Sequence, residues 1–215
     1  MTEYILKKNE RRLLVIDQRE GTQHHMVILD AGAQLQMYVV LTGDGTACTI
    51  DVRLCGQGAQ AMVKGLYFAS ATQQITCITR QEHVAPDCIS TVAIRGVVVD
   101  AARTHYEGTI FVSPVGVGTQ AEQSNKNMLF GATARATSKP RLEALTNDVQ
   151  CAHGSAVGRV DSEQLFYVQS RGLSVSEAKK MLVEGFLSAV LTDLPDQKLK
   201  NFVLKRLSGI LKSKI

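Results

Sequence analysis

The chain has 215 residues, 45% of them hydrophobic, which suits one large domain or a domain with a small appendage and argues against disorder. It carries 24 Lys and Arg against 20 Asp and Glu, a formal net charge of +4. No apolar run approaches the roughly 18 residues of a membrane span, and residues 1–12 lack the apolar segment of a secretory signal. We therefore expect a cytoplasmic protein without a membrane partner.

Residues from about Met26 to Ala152 form a series of short β-prone segments separated by turns. Examples are residues 26–29, 35–41, 47–54, 74–79, 90–99 and 109–113. The tripeptide Gly-Ala-Gln occurs at Gly32 and again at Gly58, about 26 residues later, and a spacing of this length is typical of a solenoid. From these residues alone, a sandwich, a barrel and a β-helix all stay open.

The pattern changes to a helical one after Gly158. Asp161, with Gln164 three residues later, resembles a capping box that opens a short helix over residues 163–170, and Gly172 then closes it. These signals predict a helical module at the carboxyl-terminal end of a β domain.

A second capping signal, Ser174 with Glu177, predicts a longer helix over residues 177–190 that Pro195 ends. Its predicted apolar face contains Ala178, Met181, Leu182, Phe186, Ala189 and Val190.

Residues 195–215 are basic, with six Lys and Arg against one acidic residue. Their apolar residues recur at helical spacing: Leu199, Phe202, Val203, Leu207, Ile210 and Leu211. We interpret the basic residues as the solvated face of an amphipathic helix, in preference to a nucleic-acid-binding segment.

Cys151 and His153 are the residues best suited to bind a metal. In an extended segment, residues i and i+2 point to the same side about 6 to 7 Å apart, and a thiolate and an imidazole there can share iron or zinc. This spacing also arises by chance, so it leaves a packing role open. The five cysteines are odd in number and contain no CxxC pair, which favours free thiols.

The remaining candidates have simpler interpretations. Three cysteines among apolar strand residues are expected to pack in the core: Cys48, Cys55 and Cys77. Three arginines are assigned to neutralising acidic groups: Arg95, Arg103 and Arg171. His24 and His25 should point to opposite faces of a strand. His83 either caps the turn before Pro86 or contributes to a polar site.

Several motifs together resemble the SufB/SufD family of iron-sulfur cluster assembly proteins. They are residues 148–154 (DVQCAHG), 158–161 (GRVD), 163–167 (EQLFY) and 170–173 (SRGL), and upstream 83–86, 95–97, 107–110, 123–129 and 140–143. They occur in family order between about residues 81 and 186.

The resemblance implies a right-handed parallel β-helix core over residues 1–158, followed by a small α-helical module over residues 159–215 that docks an ATPase. It also implies a non-catalytic scaffold subunit that binds a SufC-like ABC ATPase and either a SufB-like subunit or a second copy of itself. ATP hydrolysis belongs to that ATPase, and the sequence contains no P-loop. We therefore expect no enzymatic activity.

Within the family, the Cys-x-His-Gly form of residues 151–154 is similar to SufD. The resemblance assigns His153, with Cys151 as a less certain helper, to a transient iron-sulfur cluster at a subunit interface. The interface cysteine of SufB aligns with Asn125, so this contribution would be based on imidazole. ATPase docking is implied for four residues, Phe166, Tyr167, Arg171 and Gly172.

Family members usually carry a long amino-terminal helical region, for which residues 1–21 leave almost no room, so the sequence predicts a short form. Two other readings remain. The chain is an interaction-only subunit that docks the ATPase without holding metal, or it is an enzyme acting on carbohydrate. The scarcity of aromatic residues, 5%, disfavours the enzyme.

Overall fold

The computed structural model describes residues 1–192 and 194, together with 197, 200–201, 203–205 and 208–209. Within these residues, twelve strands form two six-stranded sheets. The strands are β1 (Thr2–Leu6), β2 (Arg11–Gln18), β3 (Thr22–Leu29), β4 (Gln34–Thr42), β5 (Thr46–Leu54), β6 (Gln60–Ala69), β7 (Gln74–His83), β8 (Ile89–Val99), β9 (Arg103–Val112), β10 (Thr119–Phe130), β11 (Arg135–Ala144) and β12 (Val149–Arg159). We call the sheet of odd-numbered strands the odd sheet and the other the even sheet.

The chain alternates between the two sheets, and each strand pairs in parallel with the strand two places later. Stacked coils of this kind make a parallel β-helix, which confirms the fold expected from the resemblance and excludes the sandwich and the barrel. Gln34 pairs with Gln60, so the two Gly-Ala-Gln segments lie one coil apart. Their glycines have φ of +64° at Gly32 and +70° at Gly58, a conformation that favours glycine.

The β structure begins well before the predicted start near Met26. β1 and β2 occupy residues that the sequence pattern left unassigned, and β3 already begins at Thr22. These strands belong to the first coil, whose outer side no other described coil covers. Their exposed faces carry charged side chains, which hides the alternation typical of strands.

The core lies between the sheets and consists mainly of stacked Val, Leu, Ile and Ala side chains. Cys48 and Cys77 belong to this core, as predicted, and burial raises the pKa of the Cys48 thiol to about 12. The prediction for Cys55 is wrong, because Cys55 is exposed. It follows the last residue of β5 and begins the turn at Gly56, so its side chain leaves the sheet.

Polar side chains interrupt the aliphatic core in the later coils. Tyr67 donates a hydrogen bond to the Oδ1 of Asn127, and the Nδ2 of Asn127 donates to the Oδ1 of Asn125 over 2.7 Å. All three residues are buried, and burial raises the pKa of Tyr67 to about 12. Since each amide has a partner, this network holds the interior in one arrangement.

His83 ends β7 and points into the interior, where it is fully buried. Its Nδ1 lies 3.0 Å from the Phe111 carbonyl oxygen and its Nε2 lies 2.8 Å from the hydroxyl of Ser90. Burial lowers the pKa of this imidazole. Of the two alternatives for His83, the structure therefore shows the buried polar cluster and not the turn cap. His24 and His25 point to opposite faces, as predicted, since only His25 is buried.

A helical module follows β12, with helix α1 (Ser162–Ser170), helix α2 (Val175–Ser188) and a 3-10 turn (Ala189–Leu191). It packs on the outer face of the even sheet through a second apolar cluster. This cluster includes Tyr38, Val40, Leu66, Phe68, Val97, Val99 and Phe130 from the sheet and Val183, Leu187, Val190, Leu191 and Leu194 from the module. A β-helix core and a helical module are thus joined by one apolar interface.

Three details of the module differ from the predictions. Asp161 caps α1 by accepting from the amide of Glu163 instead of forming a box with Gln164, whereas Ser174 and Glu177 do form the predicted box. The sequence pattern predicts Met181 on the apolar face, but Met181 is 58% exposed. The buried positions of α2 are Ala178, Val183 and Leu187, because the helix is rotated so that this stripe faces the sheet.

Arg95 joins the core to the module. Its guanidinium donates a 2.8 Å hydrogen bond to the carbonyl of Phe186 and lies 5.0 Å from the centroid of that ring. The expectation that Arg95 neutralises an acidic group is therefore wrong. Its planar cation instead binds a backbone carbonyl and an aromatic face, a combination that suits arginine.

Most of the predicted basic helix lies outside the described residues, as do Pro195 and the apolar positions Leu199, Phe202, Leu207, Ile210 and Leu211. Val203 is described, and it is buried in the apolar cluster against the even sheet. Among the described residues, no helix combines the length and apolar character needed to cross a membrane.

Candidate functional site

β12, the strand that the last coil contributes to the even sheet, has one open edge. β12 pairs with β10 on one side, and no described strand lies on its other side. Every residue from Ala152 to Arg159 is exposed, although alternate side chains belong to the inward face of the sheet. This end therefore presents interior-facing side chains and unpaired backbone groups to solvent.

Cys151 and His153 lie on that inward face. Cys151 pairs with Ala121 and His153 with Gln123, and both partners are buried. The spacing of Cys151 and His153 predicts this shared face, with their Cα atoms about 6.6 Å apart along the strand. Their role as metal ligands stays a prediction.

The environments of the two side chains differ. Cys151 is partly buried against a small apolar cluster that contains Val112 and Ala121, and burial raises the pKa of its thiol. His153 is exposed. In the absence of metal, Cys151 is therefore a protonated thiol near neutral pH, and a metal that binds it must displace the proton.

A groove of about 390 Å³ crosses the amino-terminal ends of β8, β10 and β12 and reaches Cys151. Ser90 and Glu122 are among its lining residues. Most of the lining residues belong to the outer face of the even sheet, whereas the Cys151 side chain belongs to the inward face.

Asn125 lies one coil below Ser155 of the open edge. It is buried, and its amide nitrogen lies 3.3 Å from the Ile94 carbonyl oxygen. The Asn125 amide therefore stabilises the interior of the β-helix. The thiol at the open edge is that of Cys151.

In the part of the chain that the structure describes, no group of three or more His, Cys, Asp or Glu side chains is arranged to hold a metal ion. Cys151 and His153 together supply two donor atoms. A metal or cluster bound at this edge would take its other ligands from outside the described residues.

A second exposed feature lies on α1, whose residues are all at least partly accessible. Phe166 is 72% exposed and Tyr167 is 59% exposed. The Arg171 guanidinium donates a 2.9 Å hydrogen bond to the Tyr167 hydroxyl and lies 5.1 Å from the centroid of that ring. Arg171 thus stacks on an aromatic residue, which corrects its assignment to an acidic group. Gly172 follows with φ of +94°. We call Phe166, Tyr167, Arg171 and Gly172 the aromatic patch.

Sequence reasoning missed Gln123, which is buried directly beneath His153 in the ladder. A glutamine in a strand is ordinarily read as a solvated residue, and its burial follows from the register of β10, which the residues alone do not reveal.

Comparison with known proteins places these features in a family. A profile described as "SUF system FeS cluster assembly, SufBD core domain" matches residues 7–186. The chain belongs to the SufBD family. A SufBD family protein of Mycobacterium bovis is 34% identical over 179 residues, which are 80% of this chain and 45% of that protein. SufD of Escherichia coli is 34% identical over 159 residues, 73% of this chain and 37% of SufD.

The chain thus spans less than half the length of these SufBD relatives. The matched region contains nearly the whole β-helix and most of α2. Both the open edge of β12 and the aromatic patch therefore lie inside the SufBD core domain.

Proposed function

We propose that this chain is a non-catalytic subunit of an iron-sulfur cluster assembly scaffold. The observation that carries the proposal is that Cys151 and His153 lie together on the inward face of β12, at the open edge of a SufBD core domain. A thiolate and an imidazole together favour iron over harder cations that prefer oxygen ligands. In this role the cluster is the cargo that the scaffold builds.

The open edge is where a second β-helix would join. An unpaired strand carries a row of free backbone donors and acceptors that readily pair with another chain. β12 is long, eleven residues, and its outer edge has no described neighbour. We assign this edge to a SufB-like subunit, with a second copy of this chain as the alternative.

A cluster at such an interface would receive ligands from both subunits. Two donors come from Cys151 and His153, and the joined β-helix would supply the rest, which fits the lack of a complete ligand set among the described residues. The cluster would therefore be transient and shared. The five free cysteines fit a reducing compartment, and we place the assembly in the cytoplasm.

The aromatic patch is the proposed docking site for a SufC-like ABC ATPase. Exposed aromatic and arginine side chains are enriched where protein interfaces have their strongest contacts. Phe166 and Tyr167 leave most of their surface in solvent, so packing within the fold does not account for two aromatic residues at these positions. ATP hydrolysis is assigned to that partner.

Anaerobic reconstitution tests the cluster proposal. The chain, mixed with a SufB-like partner and supplied with iron and sulfide, is expected to develop visible absorption from a bound cluster. His153→Ala should reduce the iron and sulfide bound per complex at least about tenfold, because it removes a proposed ligand, and changing even a residue that supports a metal ligand commonly costs about 10- to 100-fold in metal affinity. Cys151→Ser should give a smaller loss.

His105→Ala is the matched control, since His105 is a half-exposed histidine on the odd sheet beside Glu107. It should retain full cluster content. If His153→Ala assembles as much cluster as the unchanged chain, the ligand role of His153 is wrong.

The interaction-only subunit is the second candidate, and the exposed aromatic patch, whose proposed role needs no metal, is the observation that favours it. In that case the chain docks the ATPase but no absorption appears on reconstitution with any partner. The same experiment therefore separates the two candidates.

A further inference from the structure

Gln123 is a buried residue whose side-chain amide has no hydrogen-bond partner among the described residues. It is 1% exposed, and neither its Oε1 nor its Nε2 has a hydrogen-bond partner among the described residues. Its neighbours on the same face of β10, Asn125 and Asn127, both make hydrogen bonds. Buried polar groups are nearly always paired, so an amide with two orphaned atoms indicates a missing partner.

The ladder shows where that partner can be. On one side Gln123 pairs with Val92, which is apolar and buried. On the other side it pairs with His153, and neighbouring strands lie only about 4.8 Å apart. Along the ladder, His153 is therefore the polar side chain next to the Gln123 amide.

Gly108 on the opposite sheet makes room for this amide. A Cβ atom built on Gly108 would lie 2.5 Å from the Cδ of Gln123, so any larger residue there would collide with it. The side chain of Gln123 thus extends across the interior toward the Gly108 backbone. The Tyr106 hydroxyl lies beside the same point but is hydrogen-bonded to Thr79.

We propose that Gln123 positions His153 by accepting a hydrogen bond from its Nδ1–H. With its proton on Nδ1, the ring keeps the Nε2 lone pair free to bind a metal. A histidine ligand commonly donates its other ring N–H to a fixed acceptor, which sets the tautomer and the ring orientation. The inference rests on the proposed role of His153 as a ligand.

The tautomer of His153 tests the inference without any cluster. The apo chain, labelled with ¹⁵N-histidine, is measured by long-range ¹H–¹⁵N correlation at about pH 8, above the ordinary histidine pKa of about 6.5. A His153→Gln spectrum identifies the His153 signals. We expect the Nδ1–H form in the unchanged chain and a two- to about tenfold shift of the tautomer ratio toward Nε2–H in Gln123→Met.

Two further variants separate hydrogen bonding from packing. Gln123→Glu keeps an acceptor oxygen at the same reach and should restore the Nδ1–H form, whereas Gln123→Asn is too short to reach the ring and should behave like Gln123→Met. Gln81→Met is the matched control. Gln81 is also a buried, inward-facing glutamine, but it donates to Ser90 and lies in an earlier coil. It should leave the His153 signals unchanged.

Identical His153 ring shifts in the unchanged chain, Gln123→Met and Gln123→Asn would overturn the inference, and so would a predominant Nε2–H form in the unchanged chain. Neither result would affect the cluster proposal, which depends on reconstitution. The opposite outcome is also distinguishable. If the chain holds no cluster but its His153 tautomer depends on Gln123, the ligand role of His153 is wrong and the hydrogen bond is still established.

Discussion

Replacing both Phe166 and Tyr167 with serine should weaken binding of the ABC ATPase by at least about 100-fold, which corresponds to about 2.7 kcal/mol. Aromatic side chains at the centre of an interface commonly contribute 2 kcal/mol or more each. The two residues are 72% and 59% exposed, so the unbound chain should lose little stability, within about 0.5 kcal/mol. Isothermal titration calorimetry with the purified ATPase measures the affinity, and urea unfolding measures the stability.

Met181→Ser is the matched control for this pair. Met181 is a large apolar residue of the same module, is 58% exposed and lies outside the aromatic patch. Its replacement should change the ATPase affinity less than about twofold. If the double serine variant binds as tightly as the unchanged chain, the ATPase docks elsewhere on the protein.

Replacing Gly96 with valine should destabilise the β-helix by about 3 kcal/mol or more. A Cβ atom at Gly96 would lie far inside van der Waals contact with the Tyr67 ring and 2.5 Å from the Oδ1 of Asn127. Neither neighbour can move freely, because Tyr67 and Asn127 are buried and hydrogen-bonded to each other. Urea unfolding followed by circular dichroism measures the loss.

Gly154→Val controls for the effect of valine on a strand. Gly154 also lies in the even sheet, but a Cβ atom there meets nothing within 4 Å. The free energy of unfolding should therefore change by no more than about 0.5 kcal/mol.

A second check uses Tyr67→Leu, which removes the ring that Gly96 accommodates. Gly96→Val should then cost less in the Tyr67→Leu background than in the unchanged chain. Equal costs in the two backgrounds would show that the ring is not the obstacle.

Much of the fold is predictable because it repeats. The two Gly-Ala-Gln segments mark equivalent turns in successive coils, and the alternation of strands such as residues 47–54 shows which residues face the interior. β11 is harder to predict, because it contains Pro140 and charged side chains. Pro140 is tolerated because β11 is an edge strand, where a residue without a backbone N–H need not leave a ladder hydrogen bond unmade.

Helix rotation and side-chain environment were less predictable than the elements themselves. The sequence pattern places Met181 on the apolar face of α2, whereas the sheet surface selects Val183 and Leu187. Arg95 forms its contact to Phe186 across 91 residues of chain, a distance at which no local pattern operates. Contacts of this kind depend on packing between elements.

The candidate site was predictable in part for the same reason. Spacing alone places Cys151 and His153 on one face of a strand, and the resemblance supplies their interpretation. The burial of Gln123 beneath His153 depends on the register between β10 and β12. That register is a property of the stacked coils, so no local sequence signal could reveal it.

Native mass spectrometry tests whether this chain joins an ABC ATPase and a SufB-like protein, as proposed. The three purified proteins are mixed anaerobically for the measurement. We expect one complex that contains all three chains and that loses the ATPase when Phe166 and Tyr167 are replaced by serine. A complex of the ATPase and the SufB-like protein, with this chain remaining free in the same mixture, would contradict the claim.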